Sequence, residues 1–482
     1  MAQTLLIVGT IYIGLLISFT LMTRKKEKDS KNYFLAGSNI GSFLGLFTFA
    51  ATIFSTFTLL GMPDFIRNHG VGAWIFVGVS DLVMVFGILW LGYYIRKKTA
   101  HIQYYGMAGF MQYCYKSKLA GYVAFIGAFI FLVPYVAIQI RGVSIFLAGG
   151  FPNGLPMWIY AVGMVIIMLL YSEIGGLRAI IYSDALQGGL LLVVIWIIGL
   201  TCLDKLGGMQ EMFVTVQLQN EALLSTPGPS GLFDFQFLFG SMLAIIMVPF
   251  TQPQVSTRLI IMKDHRALFR TAIGLGSFTI LAFLPTVFIG IYGAIKYPEA
   301  STAEFLADTL IHDHTHYLGA FVIIGLFAAA ISTADSQLFA LGGETRSLLR
   351  GEDKRMVNKA RIAIGVFALV SLIFALLSSD ELVLLARVSF ADTSLLAPMI
   401  FTGIFYPKAS KLKIIPVFTL AAILTLVASL LSIIPDLIYQ IRLDLLLLLG
   451  LSFLSLILVL IHKRISHQIS PQATGKNQRD SY

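Results

Sequence analysis

Apolar residues dominate this chain in stretches of about 20, the length that crosses the hydrocarbon layer of a bilayer, and short polar segments separate them. Thirteen such stretches can be marked, near 4–22, 41–62, 71–95, 119–147, 155–175, 179–203, 236–257, 271–295, 317–345, 360–378, 382–406, 413–434 and 443–462. The pattern predicts an all-α polytopic membrane protein in which residues 1–464 form one transmembrane domain. The polar stretch at 465–482 reads as a disordered cytoplasmic tail.

Composition sharpens this reading. The 482 residues are 57% hydrophobic and only 12% charged, against roughly 25% charged in a soluble domain. That excludes an ordinary cytosolic enzyme, a disordered chain and a disulfide scaffold. A net charge of +9 would suit a nucleic-acid partner, but position argues otherwise. Most Lys and Arg fall in alternate loops, such as RKKEKDSK, IRKK, KDHRALFR, LRGEDKRMVNKAR and PKASKLK, as the positive-inside rule requires of cytoplasmic segments. The N-terminus is then outside and the C-terminus inside. The start lacks a basic n-region and a small-residue cleavage site, so it reads as a retained first span. Cys114 and Cys202 fall on opposite sides of the membrane, which argues against a disulfide.

Two spans are poor hydrocarbon-facing helices. The second, FTFAATIFSTFTLLGMP, groups Thr52, Ser55, Thr56 and Thr58 at mid-depth; the seventh, AIIMVPFTQPQVSTR, carries Pro249 and Pro253 around Thr251 and Gln252. Unwound backbone is tolerated within a bilayer only where it is buried or lines a cavity. Matching interruptions in two halves mark the binding site of inverted-repeat transporters. The interruptions lie five spans apart, which predicts repeats at about 40–203 and 236–406. For any single Ser or Thr, satisfying its own helix backbone is the competing reading.

Three motifs then stand out: EIGGLRAIIYSDALQGGLL at 173–191, TQPQVSTRLIIMKDHRALFR at 251–270 and FAAAISTADSQLFALGGE at 327–344. In order and spacing they resemble the sodium/solute symporter family, which includes proline, pantothenate, sialic acid and sodium–glucose symporters. The resemblance implies a leucine-transporter-type 5+5 inverted repeat with one extra helix before it and two after, and alternating access driven by sodium. It also implies a sodium site made by the hydroxyls of Ser332 and Thr333, the carbonyl of Ala329, and the carbonyls of Ala51 and Phe54 at the first break. A helix end with unpaired carbonyls attracts a cation, and a dehydrated sodium ion needs hard oxygens. Asp184, an intramembrane carboxylate, is expected to tune the sodium region or to gate; a buried structural hydrogen bond is the alternative. A second sodium site is matched only in part, since the turn after Ser332 and Thr333 reads Asp335 and Ser336. Ile53 stands where proline symporters carry a carboxylate, which counts against proline.

The solute is expected between the breaks, beside Ser55, Thr56, Thr58, Gln139, Thr251 and Gln252. Arg141 either holds a substrate carboxylate, which favours an organic anion or amino acid, or pairs internally with Asp81. Arg387 and Asp392 read as an inner gate or a structural pair. His312, His314 and His316 sit in a short external loop and do not read as a metal cluster. The function predicted is import of a small organic solute by symport with Na+ as the coupling ion, with no cofactor and no enzyme chemistry. Proton coupling and a transporter-like sensor are the alternatives; no P-loop supports a primary pump, and no kinase or receiver module follows the last span.

Overall fold

A computed structural model gives the fold and describes residues 2–23, 30–102, 104–151, 153–313, 315–350 and 353–469. Helices make up nearly all of it. The first are α1 (Ala2–Thr23), the short α2 (Ser30–Leu35), α3 (Ser42–Ile53), α4 (Met62–His69), α5 (Ser80–Thr99), α6 (Met107–Tyr115) and α7 (Lys118–Gly150). Then come α8 (Met157–Lys205), α9 (Met209–Asn220), α10 (Phe235–Thr251), α11 (Pro253–Ile261), α12 (His265–Lys296), α13 (Thr302–Ala307) and α14 (His316–Leu348). The last five are α15 (Asp353–Leu377), α16 (Leu382–Ser394), α17 (Ala397–Phe405), α18 (Ile414–Leu430) and α19 (Leu443–Ile469). Among the described residues the only strands are β1 (Leu437–Ile438) and β2 (Ile441–Arg442), an antiparallel pair leading into α19.

Among the described residues seven helices are long and apolar enough to cross a membrane, and three bent pairs bring the number to ten if each pair is one span. Three further apolar helices, Gln3–Phe19, Met157–Leu170 and Ile414–Leu430, are shorter. Both interruptions expected from the sequence are present. Ser42–Ile53 meets Phe57–His69 at 57°, and α10 meets α11 at 53°. A third bend of 40°, between α16 and α17, was not expected; Pro398, in the first turn of α17, is its sequence signal.

The two expected breaks share one backbone geometry. Phe54 (φ −88°, ψ 118°) and Gln252 (φ −99°, ψ 117°) are both extended, and each still donates its N–H to the residue four back, Ala50 at 2.7 Å and Val248 at 3.0 Å. At the second break the cause is Pro253, which suits the first position of a helix and drives the preceding residue out of the helical region. At the first, Ser55 and Thr58 restart the chain: the Phe57 N–H donates to Ser55 Oγ (3.2 Å) and the Ser55 N–H to Thr58 Oγ1 (3.3 Å).

Gly176 divides α8 into two helices at φ +64°, ψ −176°, a conformation open essentially to glycine alone. The basic loop residues have structural work of their own. Arg96 donates to the carbonyls of Leu259, Ile260 and Met262, at 2.9, 3.1 and 2.7 Å, closing the C-terminus of α11. Lys98 does the same for Gly403 and Ile404 at the end of α17. Asp264 caps α12 through the Ala267 N–H (2.6 Å), and that hydrogen bond holds its carboxyl below the usual range.

At the centre lies α14, buried along most of its length and packed on α8, α7 and α3. Its run of small residues, Ala328, Ala329, Ala330, Ser332 and Ala334, lets neighbouring backbones approach closely. By contrast α19 exposes Phe453, Leu456, Leu460 and Ile461, a surface suited to lipid rather than water.

Candidate functional site

The first break frees the carbonyl of Ala51 from its helical partner. In a continuous helix the Ser55 N–H would reach the carbonyl of Ala51; here it turns to Thr58 instead. Two hydroxyls from α14 come to that carbonyl, Thr333 Oγ1 at 2.8 Å and Ser332 Oγ at 3.3 Å. Ala329 lies one turn earlier on the same buried helix. Phe54 is buried at the break, its ring stacked on Phe278 with centroids 5.2 Å apart. Of the five residues expected around sodium, Ala51, Ser332 and Thr333 are thus in direct contact, with Ala329 and Phe54 beside them in the chain.

Asp184 stands on the other side of Ser332. It accepts from Ser332 Oγ at 2.5 Å and from Thr48 Oγ1 at 2.6 Å, and Arg258 Nη2 lies 3.6 Å from its second oxygen. Arg258 also donates to Ser336 Oγ at 2.6 Å and to the Gln254 carbonyl at 3.1 Å. Side chains from α3, α8, α11 and α14 therefore converge on one buried polar cluster. A hydroxyl carries a single proton. Given to Asp184, the shorter contact, it leaves Ser332 Oγ and the Ala51 carbonyl as two facing oxygens 3.3 Å apart. Asp335, in the same stretch of α14, is fully buried, and among the described residues neither of its carboxylate oxygens has a hydrogen-bond partner.

A small cavity of about 20 Å³, room for about one water molecule, touches both breaks, with Thr52 and Ile53 on one side and Gln252 and Gln254 on the other. Asp81, Tyr135, Phe57, Phe283 and Phe390 also line it. Of the residues expected to meet solute, Gln252 lines this cavity. Ser55, Thr56, Thr58, Gln139 and Thr251 lie in or beside the breaks. Ser55 Oγ receives Gln139 Nε2 at 3.3 Å, Thr58 is taken by the Ser55 N–H, and Thr251 bonds back to the Met247 carbonyl. Among the described residues Thr56 Oγ1 and Gln139 Oε1 are buried without a hydrogen-bond partner.

Two sequence expectations need correction. Arg141 does not pair with Asp81: its Nε and Nη2 lie 2.8 and 2.7 Å from Asp380 Oδ1 at the start of the next bent pair, and it is absent from the cavity wall. Arg387 and Asp392 do not pair either. They are five residues apart on α16, about 140° around a helix with 3.6 residues per turn, and Arg387 takes Asp444 of α19 (3.1 Å) and Ser241 instead. His312 contacts Asp308, and His314 lies outside the described residues, as do 24–29 and 470–482. Both cysteines are free.

Sequence reasoning missed Arg258 as the partner of Asp184, Thr48 as its second donor, and Asp81 as a cavity residue. The signal for Arg258 was a charge inside the seventh predicted span, four residues after Gln254.

Comparison with known proteins agrees with this architecture. Residues 33–412 match the model of the sodium:solute symporter family. A sodium/proline symporter 2 of Staphylococcus saprophyticus is 22% identical over 83% of this chain and 82% of its own length. A sodium/pantothenate symporter of Haemophilus influenzae is 22% identical over 66% of each chain. A solved Na+-coupled sialic acid symporter, 17% identical, superposes with a TM-score of 0.77 over 95% of this chain and 98% of its own. A nucleobase-cation-symport-1 family transporter, 11% identical, gives 0.60 over 93% and 97%. The chain is therefore a multi-pass membrane transporter, not an enzyme, and it belongs to the sodium:solute symporter family.

Proposed function

We propose that the protein imports a small organic solute coupled to sodium, by alternating access, with the ion held by Ser332, Thr333, Ala51, Ala329 and Phe54. The observation that carries this is the meeting of the Ser332 and Thr333 hydroxyls with the Ala51 carbonyl at the first break. Sodium has nearly the radius of calcium, whose oxygen ligands lie about 2.3–2.6 Å away. Adjacent ligands of an octahedral ion are then separated by about 3.3–3.7 Å, and Ser332 Oγ stands 3.3 Å from the Ala51 oxygen. Asp184 supports the site from outside by orienting the Ser332 hydroxyl and neutralising Arg258.

Moving α14 away from α3 pulls these oxygens apart, so the ion favours one arrangement of the two helices. The cavity touches the same break, so solute and ion reinforce one another's binding by equal amounts. The matched breaks support the two-repeat reading of the thirteen spans, and the alternation of basic loops along the sequence supports an external N-terminus and a cytoplasmic C-terminus. One observation favours proton coupling as a second reading, namely the partnerless buried carboxylate of Asp335. Uptake into proteoliposomes distinguishes the two. Accumulation of a solute under an inward sodium gradient, and not under a pH gradient alone, supports the sodium reading; the reverse refutes it.

A further inference from the structure

We infer that the solute carries a positively charged nitrogen and that Asp81 is its counter-ion. The inference rests on the transport reading above and names the class of solute its cavity takes. Asp81 sits in the first turn of α5, 5% exposed, and opens onto the cavity between the two breaks. Among the described residues it makes no hydrogen bond and no ion pair, and Arg141, the internal partner expected from the sequence, is held by Asp380. A carboxylate at this depth is costly unless something positive meets it. No Lys, Arg or His lines the cavity, so its wall supplies one acid and no base.

The rest of the wall suits the same class. Phe57, Tyr135, Phe283 and Phe390 surround the space, and aromatic faces attract ammonium and alkylated ammonium groups. Gln252 also lines the space; among the described residues its Nε2 is buried without a partner, while its Oε1 accepts from Gln254 at 2.6 Å. That leaves one neutral donor for a carbonyl, hydroxyl or carboxylate oxygen elsewhere on the solute. A simple organic anion would face Asp81 with no compensating base. A sugar would leave the carboxylate without its charge partner and lay hydroxyls against rings.

The test is thermal unfolding of the full-length purified protein in sodium and in potassium, with ethanolamine, choline, glycine betaine and L-proline as nitrogen probes and lactate and galactose as controls. At least one nitrogen probe should raise the melting temperature in sodium, and neither control should. Asp81→Asn should weaken that probe at least tenfold while keeping the shift caused by sodium alone. Because Asp81 has no protein partner to lose, Asp81→Asn should also match or exceed the wild type in ligand-free stability, and Asp81→Glu should restore part of the probe response. Stabilisation by lactate or galactose alone, silence of all four nitrogen probes, or unchanged probe affinity in Asp81→Asn overturns the inference. If sodium shifts the wild type while the nitrogen probes do not, only this assignment fails. If sodium itself has no effect, the sodium reading fails with it.

Discussion

Thr333 donates its hydroxyl to the carbonyl of Ala51 at 2.8 Å, joining two helices whose contact depends on an interruption in one of them. Were α3 continuous, that carbonyl would be spent on Ser55. The break thus does two jobs: it frees an oxygen and places it against α14. Thr333→Ala removes a ligand from the proposed ion site with little change in volume. We expect sodium affinity to fall about tenfold or more, which corresponds to about 1.4 kcal/mol, with the fold retained. Sodium titration of the melting temperature checks this.

Asp184 and Arg258 form a buried ion pair with the hydroxyls of Thr48, Ser332 and Ser336 and the Gln254 carbonyl around it. Asp184→Ala leaves a guanidinium uncompensated, which costs about 3–5 kcal/mol in such settings. Arg258→Met in the same chain should recover much of that loss. If the double variant is no more stable than Asp184→Ala, the pair is not coupled as described.

Arg141 and Asp380 are partly exposed, with side chains 13% and 45% accessible, so solvent screens their attraction and the pair contributes at most about 1 kcal/mol. Arg141→Gln should therefore lower the melting point slightly and leave solute affinity within about twofold of the wild type. A large affinity loss measured in uptake assays would restore Arg141 to the solute site.

Arg96 closes three carbonyls at the end of α11, and hydrogen bonds to charged groups are worth about 1.5–3 kcal/mol. Arg96→Ala should lose a comparable amount of stability, with Arg96→Lys intermediate because an ammonium lacks the guanidinium fork. Equal stability of all three proteins in denaturation experiments would show that water satisfies those carbonyls.

Gly176→Ala places a Cβ where φ is +64° and Tyr33 lies 3.1 Å away. A loss of about 1–3 kcal/mol is expected; a neutral result in thermal unfolding would mean that the turn relaxes.

Much of the fold is legible in the amino-acid pattern. Hydropathy marks the helical class, and Pro253 with the Ser and Thr cluster at 55–58 marks the two breaks. Ser332 and Thr333 stand out as hydroxyls in an apolar run. What stays hidden depends on contacts between segments far apart in the chain. Nothing near Arg141 announces Asp380, 239 positions away, and nothing near Asp184 announces Arg258. The third bend has Pro398 as its signal, but Leu395 and Leu396 at the turn are apolar and leave the hydropathy of the span unbroken. Asp81 reads from sequence as a charge in need of a partner, because sequence does not reveal which side chains face a cavity.

The central claim is a sodium site at the first break, and the most direct measurement is unfolding in sodium against potassium at constant ionic strength. A ligand that binds only the folded state at 100 times its dissociation constant stabilises by about 2.7 kcal/mol. A higher melting temperature in sodium is expected for the wild type, and a shift cut to about half or less in Ser332→Ala and in Thr333→Ala, as a tenfold loss of affinity requires. Equal melting temperatures in the wild type, or a sodium shift of undiminished size in both variants, would contradict the sodium site.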